Sequence, residues 1–131
     1  MAGRILVVDD VATNRIILKA KLSLACYDVL QAADGPQALT MAAQARPDLI
    51  LLDLAMPGMD GISVLRALKA DADTAHIPVI VVTGHADTRS RIAGLRAGAE
   101  DFLTKPVDEA VLAARVRSLL RDRIAPADLD L

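Results

Sequence analysis

The chain has 131 residues, 53% of them hydrophobic, which suits one domain with a substantial core. Fifteen basic and seventeen acidic residues leave a net charge of −2, and the only aromatic rings besides the histidines are Tyr27 and Phe102. This excludes both the basic footprint and the stacking platform of a direct nucleic-acid binder.

In chain order, the first element is a strand over Ile5–Val8, a continuous apolar run that ends in Asp9 and Asp10. A helix over Asn14–Ala25 follows, with Ile17, Ala20 and Leu24 at helical spacing. Tyr27–Ala32 is a less apolar strand, suited to a sheet edge, and Gln37–Ala45 an alanine-rich helix. The strand Asp48–Leu52 stops at Asp53, and a turn containing Gly58 and Gly61 comes at once. A helix over Ile62–Ala70 carries Val64, Leu65 and Leu68. The strand Pro78–Val82 ends in Thr83 and Gly84, and a helix over Ser90–Ala97 carries Ile92 and Leu95. The strand Asp101–Thr104 ends in Lys105 and Pro106. The last helix, Glu109–Arg123, has Leu112, Val116, Leu119 and Leu120 on one face and its arginines mostly elsewhere. Residues 1–123 are expected to form the domain, and 124–131 a loose tail or the start of a linker.

Strand and helix alternate, and the stronger strands are continuous apolar runs, as in a parallel sheet covered on both faces. The expected fold is α/β, a doubly wound sheet of five parallel strands with five helices. No apolar run approaches the ~18 residues of a membrane span, and no signal-peptide pattern is present. The single cysteine, Cys26, has no partner for a disulfide or a thiolate metal site and is expected as a small buried hydrophobe. A cytoplasmic setting without membrane contact is expected.

In open parallel sheets, ligands bind beyond the carboxyl ends of the strands, where strand order reverses. A strand order of 2-1-3-4-5 would make the first and third strands neighbours and bring Asp9, Asp10 and Asp53 together. Thr83 and Lys105 would stand on the same edge. Three carboxylates in a small space repel unless a cation joins them, and an all-oxygen set suits a hard ion such as Mg²⁺. A carboxylate nucleophile beside such an ion and a lysine is equipped for phosphoryl transfer.

The runs ILVVDD, LILLDLAMPGMDG, VIVVTG and DFLTKP, in this order and spacing, resemble the CheY-like receiver domain of bacterial two-component response regulators over residues 4 to 123. DDVATNR, DGPQAL and HIPVIVVTGHAD add a closer similarity to the amino-terminal receivers of PleD-type diguanylate cyclases and to single-domain DivK-like regulators. The chain has no GG(D/E)EF motif, so no cyclase activity is expected of it.

The resemblance implies the 2-1-3-4-5 order and a role for each matching residue. Asp53 is the expected phosphoacceptor. Asp10 is the direct Mg²⁺ ligand, Asp9 an acid that contacts the ion through water, and the Ala55 backbone carbonyl a further ligand. Thr83 is expected to hydrogen-bond the phosphoryl group and Lys105 to pair with it, with Lys105–Pro106 in the cis form. Phe102 stands at the switch-aromatic position. The implied partners are a sensor histidine kinase or histidine phosphotransfer protein and a downstream output domain or target protein. Arg91, Asp101 and Arg115 match a charged face through which some receivers form phosphorylation-dependent homodimers, although Val111 replaces the usual acid of that face.

Two rival readings, and a histidine metal site, fit the residues less well. A phosphatase with an aspartyl nucleophile would want a second Asp two residues after Asp53, where this chain has Ala55, and a cap that it has no room for. A docking module without phosphorylation would have lost an acid, and none is missing. His76 and His85 are separated and make poor metal ligands.

Overall fold

The structure, a computed structural model, describes residues 3–56, 58–84 and 87–123. His85 and the expected tail 124–131 lie outside the described residues. Five strands form one parallel sheet in the order β2-β1-β3-β4-β5: β1 Arg4–Val8, β2 Asp28–Ala32, β3 Leu49–Leu52, β4 Val79–Thr83 and β5 Asp101–Thr104. The helices are α1 Ala12–Leu24, α2 Gly35–Ala45, α3 Gly61–Ala70, α4 Thr88–Arg96 and α5 Glu109–Arg123. The expected fold and strand order are both present, with β2 at an edge.

Alternation along the strands divides the core into two layers. Leu6, Val8, Ile50, Leu52, Val79 and Val81 face a cluster with Ala38 and Ala42 of α2 and Val64, Leu65 and Leu68 of α3. Ile5, Val7, Leu49, Leu51, Ile80 and Val82 face the opposite cluster, closed by Leu22 of α1 and Leu112, Val116 and Leu120 of α5. Both faces of β1, β3 and β4 are therefore covered, which is why their sequences are continuous apolar runs. The stripe read on α5 is the buried one.

Three other expectations are corrected. On α1, Ile17, Ala20 and Leu24 point to solvent, Leu24 being 85% exposed, and the buried face is carried by Leu22 with Leu18 beside it. The segment IILKAKLSL has apolar residues all round the helix, so periodicity leaves its phase undetermined. On α4, Ile92 and Leu95 are about half exposed, and the residue that meets the core is Gly94, whose open face lies against the Phe102 ring. Cys26 is exposed, because it forms the turn between α1 and β2 with φ +69 rather than joining the core.

Capping sets three helix starts earlier than the apolar pattern does. Asp34, Asp60 and Asp87 each accept a hydrogen bond from the backbone three residues on, at Gln37, Ser63 and Ser90.

Candidate functional site

The sheet register builds the site. Val8 of β1 lies beside Leu52 of β3, so the next residues, Asp9 and Asp53, leave the sheet side by side. Their backbones remain tied to the ladder: Asp53 N–H donates to the Val8 carbonyl at 3.0 Å and Asp9 N–H to the Ala32 carbonyl at 3.1 Å. On the other side, Thr83 of β4 pairs with Thr104 of β5, and the Lys105 N–H donates to the Thr83 carbonyl at 2.9 Å. Lys105 thereby reaches across from the β5 end toward the acids. Its peptide bond to Pro106 is cis, as expected.

Asp9 and Asp53 are buried at 2% and 7% exposure, while Asp10 is exposed. One carboxylate oxygen from each of the three lies within 4.8 Å of the others. Burying two carboxylates this close together is costly unless each is hydrogen-bonded and paired. Lys105 Nζ meets the need, donating to Asp9 Oδ2 at 2.7 Å and to Asp53 Oδ2 at 3.0 Å. Asp9 also accepts from the Val11 N–H and from Asn14 Nδ2, at 2.9 and 3.3 Å. Asp53 Oδ1 accepts from the Ala55 N–H at 3.0 Å. Partial burial alone would lower the Lys105 pKa, but its hydrogen bonds to Asp9 and Asp53 and their charges outweigh this and raise it above the ordinary lysine value. One ammonium against three carboxylates still leaves a local negative excess, and an all-oxygen donor set of this kind fits a hard divalent cation.

The loop after β3 holds Asp53 in place through two glycines. Gly58 has φ +81, a conformation that costs a side-chain-bearing residue. Gly61 opens α3 against the backbone of the strand end, its N–H donating to the Leu54 carbonyl at 3.0 Å. A Cβ there would overlap the Leu54 Cα and lie 2.6 Å from the Asp53 carbonyl oxygen. Both glycines serve the turn, as read from the sequence.

The remaining predicted residues separate by location. Thr83 is fully buried at the end of β4. Ala55 is exposed beside Asp53. Phe102 is buried at 5% exposure, and the Arg91 guanidinium sits over its ring, 5.1 Å from the centroid. Arg115 Nε and Asp101 Oδ2 form an ion pair at 3.1 Å. His76 is exposed. Two residues given no role by sequence reasoning also touch the acids: Asn14, and Arg15, whose guanidinium donates to the Asp9 carbonyl at 2.7 Å. Their signal was the spacing in DDVATNR, which puts both on the first turns of a helix starting just after the acids.

A profile of the response regulator receiver domain matches residues 5–117. The chain belongs to this family. It is 54% identical to the response regulator PleD of Caulobacter vibrioides over 98% of the chain and 28% of PleD, so it spans about a quarter of that relative's length. The protein PilH of Pseudomonas aeruginosa is 42% identical over 90% of the chain and 98% of PilH. Among solved structures, the chemotaxis protein CheY4 of Vibrio cholerae superposes with a TM-score of 0.85 at 29% identity, covering 91% of this chain and 99% of that one. The receiver domain of a Pseudomonas aeruginosa sensor histidine kinase, with a magnesium ion coordinated in its active-site cleft, superposes with a TM-score of 0.85 at 33% identity, covering 92% and 98%.

The chain is thus a CheY-like receiver of two-component signalling, a family whose typical function is to accept a phosphoryl group. Receivers of response regulators interact with histidine kinases and with output domains. No described helix is long and apolar enough to cross a membrane.

Proposed function

We propose that Asp53 accepts the phosphoryl group in this receiver and that Asp9, Asp10, Asp53 and the Ala55 backbone carbonyl hold Mg²⁺ beside it. The observation that carries the reading is the meeting of three carboxylates and one ammonium at the carboxyl edge of the sheet. The donor is the phosphohistidine of a sensor kinase or a histidine phosphotransfer protein. An Asp53 oxygen attacks phosphorus, the P–N bond breaks as the O–P bond forms, and the departing imidazole takes up a proton. Lys105, already hydrogen-bonded to Asp53 Oδ2, opposes the charge that builds on the phosphoryl oxygens. Thr83, at the neighbouring strand end, donates a hydrogen bond to them. Bound Mg²⁺ would neutralise part of the same charge.

Hydrolysis breaks the O–P bond and returns the carboxylate and inorganic phosphate. The chain acts on no other substrate in this reading, and it works in the cytoplasm as a receiver unit of residues 1–123. Phosphorylation biases an equilibrium between two surface arrangements, which a downstream output domain or target protein reads. Thr83 and Phe102 couple the site to that surface. The face around Phe102 carries Arg91, Asp101 and Arg115, and we assign it to a phosphorylation-dependent homodimer. The Asp101–Arg115 pair, formed here within one chain, fixes the charges that such a dimer would present. A double variant of Asp101 and Arg115 that still dimerises on phosphorylation would overturn that assignment.

The phosphoacceptor reading is tested by intact mass after incubation with acetyl phosphate, with Mg²⁺ or a chelator, on the wild type and Asp53→Asn. The reading expects a gain of one phosphoryl group that needs both Mg²⁺ and Asp53. A gain that survives Asp53→Asn would refute it.

A further inference from the structure

The surface between α3 and α4 combines arginines with apolar side chains. A cavity of about 610 Å³ is lined by Arg66 of α3, by Arg89, Ile92, Ala93 and Arg96 of α4, and by its flanking residues. A second hollow of about 400 Å³ continues it toward the phosphorylation site, ending at Leu54 and Ala55. Arg66, Arg89 and Ala93 line both, so the two are one open groove. Its floor is apolar, and Ile92 remains 44% exposed within it.

The charge of the larger hollow is one-sided. Three arginines surround the larger hollow, and no described acid lines it. Among the described residues, none of Arg66, Arg89 and Arg96 takes part in an ion pair; the pairs that do form involve Arg4, Lys69, Lys105 and Arg115. The one acid at the far end of the smaller hollow, Asp60, is occupied in capping α3 through the Ser63 N–H at 2.8 Å. Three guanidinium groups that form no ion pair among the described residues are gathered around one apolar strip, in a chain whose net charge is −2. Guanidinium forks favour carboxylates in bidentate geometry, and the strip between them has space for aliphatic side chains. The absence of any described aromatic ring from the lining disfavours a nucleobase as the occupant.

We propose that the α3–α4 groove binds an acidic segment of a partner protein, with carboxylates on Arg66, Arg89 and Arg96 and an aliphatic anchor on Ile92, Ala93 and Ala97. The groove is separate from the Phe102 face and does not depend on the phosphoacceptor assignment. Its inner end at Ala55 lies next to Asp53, so an occupant of the full groove would also cover one approach to the acceptor.

The test is fluorescence anisotropy with a labelled peptide of alternating Asp and Leu, together with amide-shift mapping on the isotope-labelled chain. Binding is expected to shift the amides of Ile92, Ala93 and Ala97, and to weaken as salt rises. The Arg66→Ala/Arg89→Ala/Arg96→Ala variant is expected to bind about tenfold or more weakly, since exposed pairs each contribute little and three act together. Its melting temperature and its phosphorylation by acetyl phosphate should match the wild type, because none of the three touches the acid cluster. The proposal is overturned by unchanged affinity in that variant, by shifts confined to another face, or by equal binding of a peptide with Ser in place of Leu. Tighter binding of a single-stranded oligonucleotide than of the peptide would also overturn it, marking a general polyanion surface.

Discussion

Replacing Lys105 with methionine tests how the acid cluster is held together. The substitution keeps the aliphatic stem and removes the one ammonium that bonds both Asp9, 2% exposed, and Asp53, 7% exposed. Breaking a buried ion pair by deleting one partner costs about 3–5 kcal/mol, because the other charge is left without compensation. The lower end applies here, since the Lys105 side chain is itself 25% exposed and water reaches the site. At roughly 3–5 °C per kcal/mol for a domain of this size, a loss of about 3 kcal/mol lowers the melting temperature by about 9–15 °C.

The assay is thermal unfolding followed by circular dichroism, in chelator and in excess Mg²⁺. A divalent ion at the same carboxylates supplies the missing charge, so Mg²⁺ should close more than half of the gap between variant and wild type. In chelator, Asp9→Asn added to Lys105→Met should recover part of the loss by removing one of the repelling charges. A fall of less than about 3 °C in chelator, under 1 kcal/mol on the same scale, would refute the reasoning. So would a gap of equal size with and without Mg²⁺.

Gly61→Ala should destabilise the chain by at least about 1–3 kcal/mol in urea unfolding, because the new Cβ meets the backbone of Leu54 and Asp53 and that backbone must move. The same variant should accept a phosphoryl group more slowly, since Asp53 would shift with it. Arg115→Ala, by contrast, should change stability by less than about 1 kcal/mol, as its pair with Asp101 lies at the surface with Arg115 57% exposed. Lys69→Met should cost more than that in the same urea assay. The Lys69 ammonium holds the Ala75 and Ile77 carbonyls and Glu100 at 3.2, 2.8 and 2.8 Å, and no other described cation reaches Glu100.

The strands and the site were legible because both depend on local signals of high contrast. ILVV and LILL are covered on both faces, and each is followed by an acid that a core strand would not otherwise carry at its end. Once β1 and β3 are neighbours, the register forces Asp9 and Asp53 together. The helices were less legible where apolar residues are not confined to one face. On α1 the choice between the Ile17 and Leu22 faces is made by packing against the sheet, which no periodicity encodes. On α4 the helix reaches Phe102 through a glycine, a residue with no hydropathy to read. Cys26 was misplaced because the left-handed turn that ends α1 is a backbone demand, and side-chain hydropathy does not register it. The double role of Lys105, bonded to Asp9 as well as to Asp53, follows from where β5 delivers its side chain, a matter of sheet geometry rather than sequence spacing.

The central claim is that the phosphoryl group is carried by Asp53. The most direct measurement is borohydride reduction of the chain after treatment with acetyl phosphate and Mg²⁺, followed by peptide sequencing in the mass spectrometer. Hydride converts an acyl phosphate to an alcohol, so an aspartyl phosphate is recorded as homoserine at its own position. The account predicts homoserine at position 53 and at no other acid. Homoserine at position 9 or 10, or none in a sample whose intact mass shows the phosphoryl group, would contradict it.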